Sequence, residues 1–238
     1  SFNLKTSSFG TEKIEEELKV LFPQKVIKRM DREAISGRKK VFEVFDDFIK
    51  GKIDILVGTQ MVIKGLDNPH VGLAGFLCAD EDLNFPDFRA RERMFHRLIQ
   101  LIGRVRKEGK TIIQTYNPEE KIFEKVLNFD IEGFYKEELE ERKKLKYPPF
   151  SSLILIETNT KIPEDGEDIL NYIKSKIKKS DLGIEILGPA APPVAKIKGF
   201  YRNRLILKVE DKDMIKRVLD QIPSNLKVKL DLNPYDFF

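Results

Sequence analysis

Two short runs in this sequence carry side chains suited to phosphate chemistry. In Gly58-Thr59-Gln60-Met61-Val62-Ile63-Lys64-Gly65-Leu66-Asp67, Thr59 and Gln60 offer uncharged hydrogen-bonding groups and Lys64 a cation, all suited to phosphodiester oxygens. Gly65 lets backbone approach a ligand, and Asp67 can fix a local turn or a ribose hydroxyl. Gly58 and Gly65 are equally readable as turn glycines, with Asp67 forming an Asx turn before Pro69. The second run is Gln100-Leu101-Ile102-Gly103-Arg104-Val105-Arg106-Lys107. On a helix turning about 100° per residue, Gln100, Gly103, Arg104 and Lys107 share about one third of the circumference, opposite Leu101 and Val105. Arginine is the fork-shaped donor suited to a transferring phosphoryl group, although the same residues also fit a solvated basic helix end.

These runs need a scaffold. Thr11 can cap a helix over 12–22, Val26 to Met30 reads as a strand, and Arg38 to Lys50 carries Phe42, Phe45 and Phe48 at helical, core-facing spacing. Ile53 to Val57 and Val71 to Leu77 are near-continuous apolar runs of the kind found in parallel strands covered on both faces. A long helix over Phe88 to Lys107 and a strand over Thr111 to Thr115 follow. Strands alternating with helices predict an α/β parallel sheet, and the first run stands where its strand would deliver a carboxyl end. Asp80, Glu81 and Asp82 read as a loop and cap at a strand end, not as a metal cluster.

From Pro118 the pattern changes to Glu- and Lys-rich helical stretches that end at Tyr147-Pro148-Pro149. Beyond them, strand, helix, strand, Pro-rich loop, strand, helix and strand predict a smaller α+β domain of the split βαβ kind. The predicted organisation is a first domain over 1–117, a helical linker over 118–148 and a second domain over 149–238. In the last of these, Lys196, Lys198, Arg202 and Arg204 are interrupted by Phe200 and Tyr201. Cations alternating with aromatic faces suit single-stranded nucleic acid, or equally a hairpin edge protected by charge.

Composition narrows the class. The 238 residues are 41% hydrophobic and 34% charged with a formal net charge of +4, which excludes disorder as the main state and permits a polyanion partner. One cysteine, Cys78, excludes an internal disulfide, and only two histidines accompany it, so no metal site is expected. No apolar run is long enough to span a membrane, and the expected setting is the cytoplasm. The chain opens with Ser and contains no GxxxxGK[ST] loop, so it is expected to be a piece of something longer.

Taken together, a strand followed by GTQMxxKGxD and later by QxxGR resembles motifs V and VI of superfamily 2 helicases. The intervening ADxxLNxPDFRAxER stretch (Ala79 to Arg93), IIQTYNPE (Ile112 to Glu119), YPPFSSL (Tyr147 to Leu153), LGPAAP (Leu187 to Pro192) and LDLNP (Leu230 to Pro234) make the chain similar to the PriA family of replication-restart helicases. The resemblance implies a RecA-like second helicase lobe followed by the family's C-terminal domain. It implies ATP with Mg2+ as ligand once a missing first lobe completes the cleft. Gly65, Asp67, Gly103 and Arg106 would bind nucleotide, Gln100, Arg104 and Lys107 would serve hydrolysis, and Thr59, Gln60 and Lys64 would face DNA. Two departures stand out: GRxGR is here Gly103-Arg104-Val105-Arg106-Lys107, and the family's cysteine-rich zinc insertion has no counterpart, so no zinc is expected.

The implied activity is 3′-to-5′ DNA unwinding at stalled forks. Implied partners are forked and single-stranded DNA, the single-stranded-DNA-binding protein, primosome proteins and the missing N-terminal region of the same protein. The competing reading is a non-enzymatic nucleic-acid adaptor built on a vestigial lobe.

Overall fold

The computed structural model describes residues 10–35, 37–65, 68 and 70–235, with the backbone alone for Arg38, Lys64 and Gly65. The chain divides between Phe134 and Tyr135 into two compact units.

The first unit runs α1 (Thr11–Leu21), β1 (Ile27–Met30), α2 (Arg38–Ile49), β2 (Ile55–Gly58), α3 (Gln60–Gly65), β3 (Leu73–Phe76), α4 (Ala79–Leu83), α5 (Ala90–Ile102), β4 (Lys110–Ile113), α6 (Lys121–Leu127) and the start of α7 (Ile131–Lys144). The expected parallel pairing is present, but in two separate pairs. β1 lies beside β2 in the register Ile27↔Ile55, and β3 beside β4 in the register Leu73↔Lys110. Nor is β3–β4 covered on both faces as expected. Phe76 and Ile113 pack on one side against a core of Met94, Phe95, Leu98, Ile122 and Val126, whereas Leu73 and Ile112 are 61% and 59% exposed on the other. Helices α4, α5 and α6 supply the apolar side chains for the covered face only. Phe42 is likewise exposed, and Phe45 alone of its trio is fully buried.

Two local expectations change for reasons visible in the hydrogen bonds. Thr11 does not cap α1, because its hydroxyl is committed elsewhere, donating to Asp31 Oδ2 at 2.5 Å. That bond, with the Ala34 and Glu33 amides, holds the Asp31 carboxyl below its ordinary range. The predicted helix over Phe88 to Lys107 is shorter at both ends, since Gly103 is its C-cap and the chain beyond it is drawn away by the bonds described below.

The second unit is β5 (Ser152–Thr160), α8 (Pro163–Lys179), β6 (Glu185–Ala190), β7 (Lys196–Ile197), β8 (Phe200–Val209), α9 (Met214–Leu219) and β9 (Lys229–Leu232). Its strands form one antiparallel sheet in the order β6-β8-β5-β9, with β7 folded back on β8. Leaving β7 aside, the sequence of elements is β-α-β-β-α-β with β5 and β8 central, the order of a split βαβ. Alternation along β5 and β8 sends Ile154, Ile156, Leu205 and Leu207 into a core with Leu170 and Ile173 of α8.

The helical stretch predicted between the domains divides between the units. Ile122, Phe123 and Val126 of α6 are buried in the first unit's core, and Phe134 stacks on Phe95 with ring centroids 3.9 Å apart. Among the described residues no helix is long and apolar enough to cross a membrane.

Candidate nucleotide and nucleic-acid site

The first run begins where β2 ends, as its sequence position required. Gly58 is there because β1 passes so close: a Cβ at this position would overlap the Met30 carbonyl, whose carbon would lie 3.1 Å away, and the Val62 side chain. Exposed Thr59 follows, its carbonyl accepting from the Val62 amide at 3.0 Å, and Gln60 opens α3 with an exposed side chain. With its amide oriented to suit its neighbours, Gln60 offers its oxygen to the Arg97 guanidinium, 2.9 Å from Nε. Lys64 and Gly65 close α3, and Asp67 lies outside the described residues.

The second run is not one helical face. Gln100 stands exposed on α5, Gly103 caps it, and the amides of Arg104 and Val105 bond back to Leu101 and Ile102 at 3.1 and 3.2 Å as the helix tightens and stops. The chain then turns toward the segment that follows α3. The Arg106 amide donates to the Val71 carbonyl at 2.9 Å, and the Lys110 amide to the Gly72 carbonyl at 2.9 Å. Gly109 makes this approach possible, because a Cβ there would stand 2.8 Å from the Gly72 oxygen and closer still to Val105. Thus the backbones that leave the two runs are stitched together at Val71–Gly72. Arg104 is half-buried, and Arg106 and Lys107 are exposed.

In the second unit the predicted cationic string splits. Lys196 and Lys198 are exposed on a hairpin whose two turn residues, Lys198 and Gly199, have φ of 49° and 86°. Lys196 Nζ lies 4.4 Å from the centre of the Tyr201 ring and 3.1 Å from its hydroxyl. Arg202 and Arg204 instead turn to Glu157, with Arg202 Nη2 and Arg204 Nε at 2.8 and 2.6 Å from the same carboxylate oxygen. The antiparallel register places Arg204 directly opposite Glu157 on one face of the sheet. Burial pushes the Glu157 carboxyl up, but the hydrogen bonds and charges of Arg202 and Arg204 outweigh it and hold it below the ordinary glutamate range. A cleft of about 250 Å³ opens beside this trio, bordered also by Lys229, Asp231 and Tyr235.

Residues 143–235 match the family described as the primosomal protein N C-terminal domain. The chain is 42% identical over 221 residues to the replication restart protein PriA of Thermotoga maritima, covering 92% of this chain and 29% of that protein. It is 36% identical to the Bacillus subtilis protein of that name (95% and 30% covered) and 37% identical to that of Treponema pallidum (98% and 37% covered). Over nearly its whole length the chain is similar to one part of these PriA proteins. It spans about 29% to 37% of the length of these PriA relatives.

The acidic stretch after β3 is structural. Asp80 accepts from the Thr115 hydroxyl and the Tyr116 amide, both at 2.9 Å, and Asp82 pairs with Arg97. Among the described residues no group of three His, Cys, Asp or Glu is placed to hold a metal ion. Sequence reasoning missed two residues that organise this part of the chain. Arg97 ties Gln60 to Asp82, and its place one helical turn beyond Arg93 was the available signal. Asp87 has a fully buried side chain, and its position two residues before an Arg was the only hint of it.

Proposed function

We propose that this chain is part of an ATP-dependent 3′-to-5′ DNA helicase of the PriA type, which binds stalled forks and restarts replication through primosome assembly in the cytoplasm. The first unit is read as the second RecA-like lobe and the region over 149–238 as a DNA- and partner-binding domain. ATP with Mg2+ would sit between this lobe and a first lobe that carries the phosphate loop. From this side Arg104 would reach the charge that develops on the phosphates, with Gln100 and Lys107 beside it and Gly65, Asp67, Gly103 and Arg106 lining the cleft. Thr59, Gln60 and Lys64 would hold one strand of DNA, and Lys196 and Lys198 would add a second contact. Single-stranded-DNA-binding protein and primosome proteins are the proposed protein partners.

The observation that carries this reading is the stitch at Val71–Gly72. Two backbone hydrogen bonds tie the segment just beyond Arg104 to the chain that follows the first run, and would pass movement on the nucleotide side to the strand side. A lobe that must advance along DNA when nucleotide is hydrolysed needs such a link between the two contacts.

In the full-length protein, Arg104→Ala is expected to lower DNA-stimulated ATP hydrolysis by about a thousandfold or more while fork affinity stays within about twofold, because Arg104 serves the transition state. Steady-state turnover and fork binding measured on the same preparations test it. The isolated 238-residue chain is expected to show no turnover, and DNA-stimulated hydrolysis by it would contradict the one-lobe reading.

A further inference from the structure

The segment from Phe85 to Arg93 marks the chain in sequence, yet the roles above leave it unused. After α4 the backbone turns through Asn84 to Arg89 and enters α5. Within that turn the Asp87 side chain is shut off from solvent. Its Oδ1 accepts from the Arg89 amide at 2.9 Å and lies 3.4 Å from Arg89 Nε. Its Oδ2 is 2.8 Å from Arg93 Nη2, an ion pair without the alignment of a hydrogen bond. The same two guanidiniums lie over aromatic rings, Arg89 at 4.7 Å from the centre of Phe88 and Arg93 at 5.6 Å from that of Phe85. Phe85 is 43% exposed, and the side chains of Arg89 and Arg93 are partly exposed.

The geometry points to a single-stranded nucleic-acid contact surface formed by Phe85, Phe88, Arg89 and Arg93, with Asp87 as the residue that positions it. This inference rests on the strand-facing reading of Thr59 and Gln60. A guanidinium already held at one edge by a buried carboxylate, and laid on a ring, has little rotamer freedom left to lose when its outer edge meets a phosphate. The half-exposed ring offers a stacking face to an unpaired base, a contact that is tolerant of sequence. From the N-cap Arg89 into α5 the arginines recur every four residues at 89, 93 and 97, and on the helix itself Arg93 and Arg97 share one face about 6 Å apart. Arg97 then touches Gln60, which makes the stripe continuous with the run proposed to hold the strand. Base stacking requires unstacked bases, so the ligand is a single strand and not a duplex.

The test uses the full-length protein and a labelled oligothymidylate, with binding followed by anisotropy across a salt series. Arg93→Gln is expected to weaken binding about tenfold and to lower the slope of log affinity against log salt by about one. Phe85→Ala is expected to weaken binding about tenfold with the salt slope unchanged, since it removes stacking and no charge. Asp87→Asn should reproduce both losses in part. Because Asp87 is buried, Arg93→Gln and Phe85→Ala, checked for a wild-type thermal midpoint, are the deciding variants. Wild-type affinity and slope in those two variants would overturn the inference. So would normal strand binding with lost ATP hydrolysis, which would make this a surface for the other lobe. If the unaltered protein fails to bind the oligonucleotide, the helicase reading falls as well, a result distinct from failure of the variants alone.

Discussion

Arg202 and Arg204 in the second unit share one carboxylate oxygen of Glu157, and all three side chains are about nine-tenths buried. In the first unit, Arg104, Arg106 and Lys107 occupy a loop whose backbone is bonded to Val71 and Gly72, with side chains that are half-buried or exposed. The same residue types therefore serve opposite ends. On β8, a ten-residue strand paired on both sides, the two-residue period decides which way a cation faces, and the register delivers it to an acid on β5. Past the end of α5 no ladder dictates direction, so the cations stay on the surface where a phosphate could meet them. Counting basic residues along the sequence cannot separate these cases, but strand length and register can.

The strongest challenge to that contrast is Glu157→Ala. Removing one partner of a buried ion pair leaves uncompensated charge, here two guanidiniums, and should cost about 3 to 5 kcal/mol in urea unfolding of the second unit's transition. A loss below about 1 kcal/mol would mean that Arg202 and Arg204 are not held and are available to a ligand, which would erase the distinction. The pH dependence has a definite sign. The folded-state carboxyl is held below its ordinary value of 4.5, so its contribution is complete above that value and is lost as pH falls through the folded value. Between pH 7 and pH 3 the unaltered chain should lose more stability than the variant does.

The parts of the fold legible in the sequence were those set by local pattern. Helix α2 falls where apolar spacing put it, and the β-α-β-β-α-β order of the second unit follows the predicted order of strands and helices. What spacing could not show was set by partners far away in the chain. Thr11 looks like a helix cap until Asp31, twenty residues on, takes its hydroxyl. The α5 helix looks as if it should continue to Lys107 until Val71 and Gly72 bind the following backbone. Arg204 looks exposed until β5 is laid beside it. For the candidate site, the chemistry of Thr59, Gln60 and Arg104 could be read from residue type. The linking roles of Arg97 and Asp87 depend on contacts between separate elements.

A smaller effect is expected from Gly109→Ala, and it sharpens the first-unit half of the comparison. The added methyl would stand 2.8 Å from the Gly72 carbonyl oxygen and 3.1 Å from that of Arg106, so backbone must shift. Such overpacking should cost about 1 to 3 kcal/mol. The loss should be local: amide exchange at Arg106 and Lys110 should accelerate while amides of the second unit keep their protection. In the full-length protein, the variant is expected to hydrolyse ATP with weakened stimulation by DNA, because the stitch between the two runs is loosened. Retained stimulation with lost protection would show that the link is structural alone.

The smallest effect on stability should come from Lys196→Gln, and comparing it with Arg202→Gln gives the cleanest separation of the two uses of charge. Both residues are cations near the same hairpin, and both contact another side chain. Lys196 rests on Tyr201 in the open, where a cation–π contact contributes about 0.5 to 1 kcal/mol. Its replacement should barely move the unfolding midpoint, yet lower the salt slope of DNA binding by about one if the hairpin touches a phosphate. Arg202 is committed to Glu157, so its replacement should lower stability and leave the salt slope unchanged. If both variants lower the slope equally, the buried pair opens on DNA binding, and Glu157 then acts as a competitor that DNA phosphates displace. If neither does, the hairpin is a charge-protected edge and not a DNA contact. Because the two substitutions remove the same unit charge, the outcome is decided by where each side chain points and not by net charge.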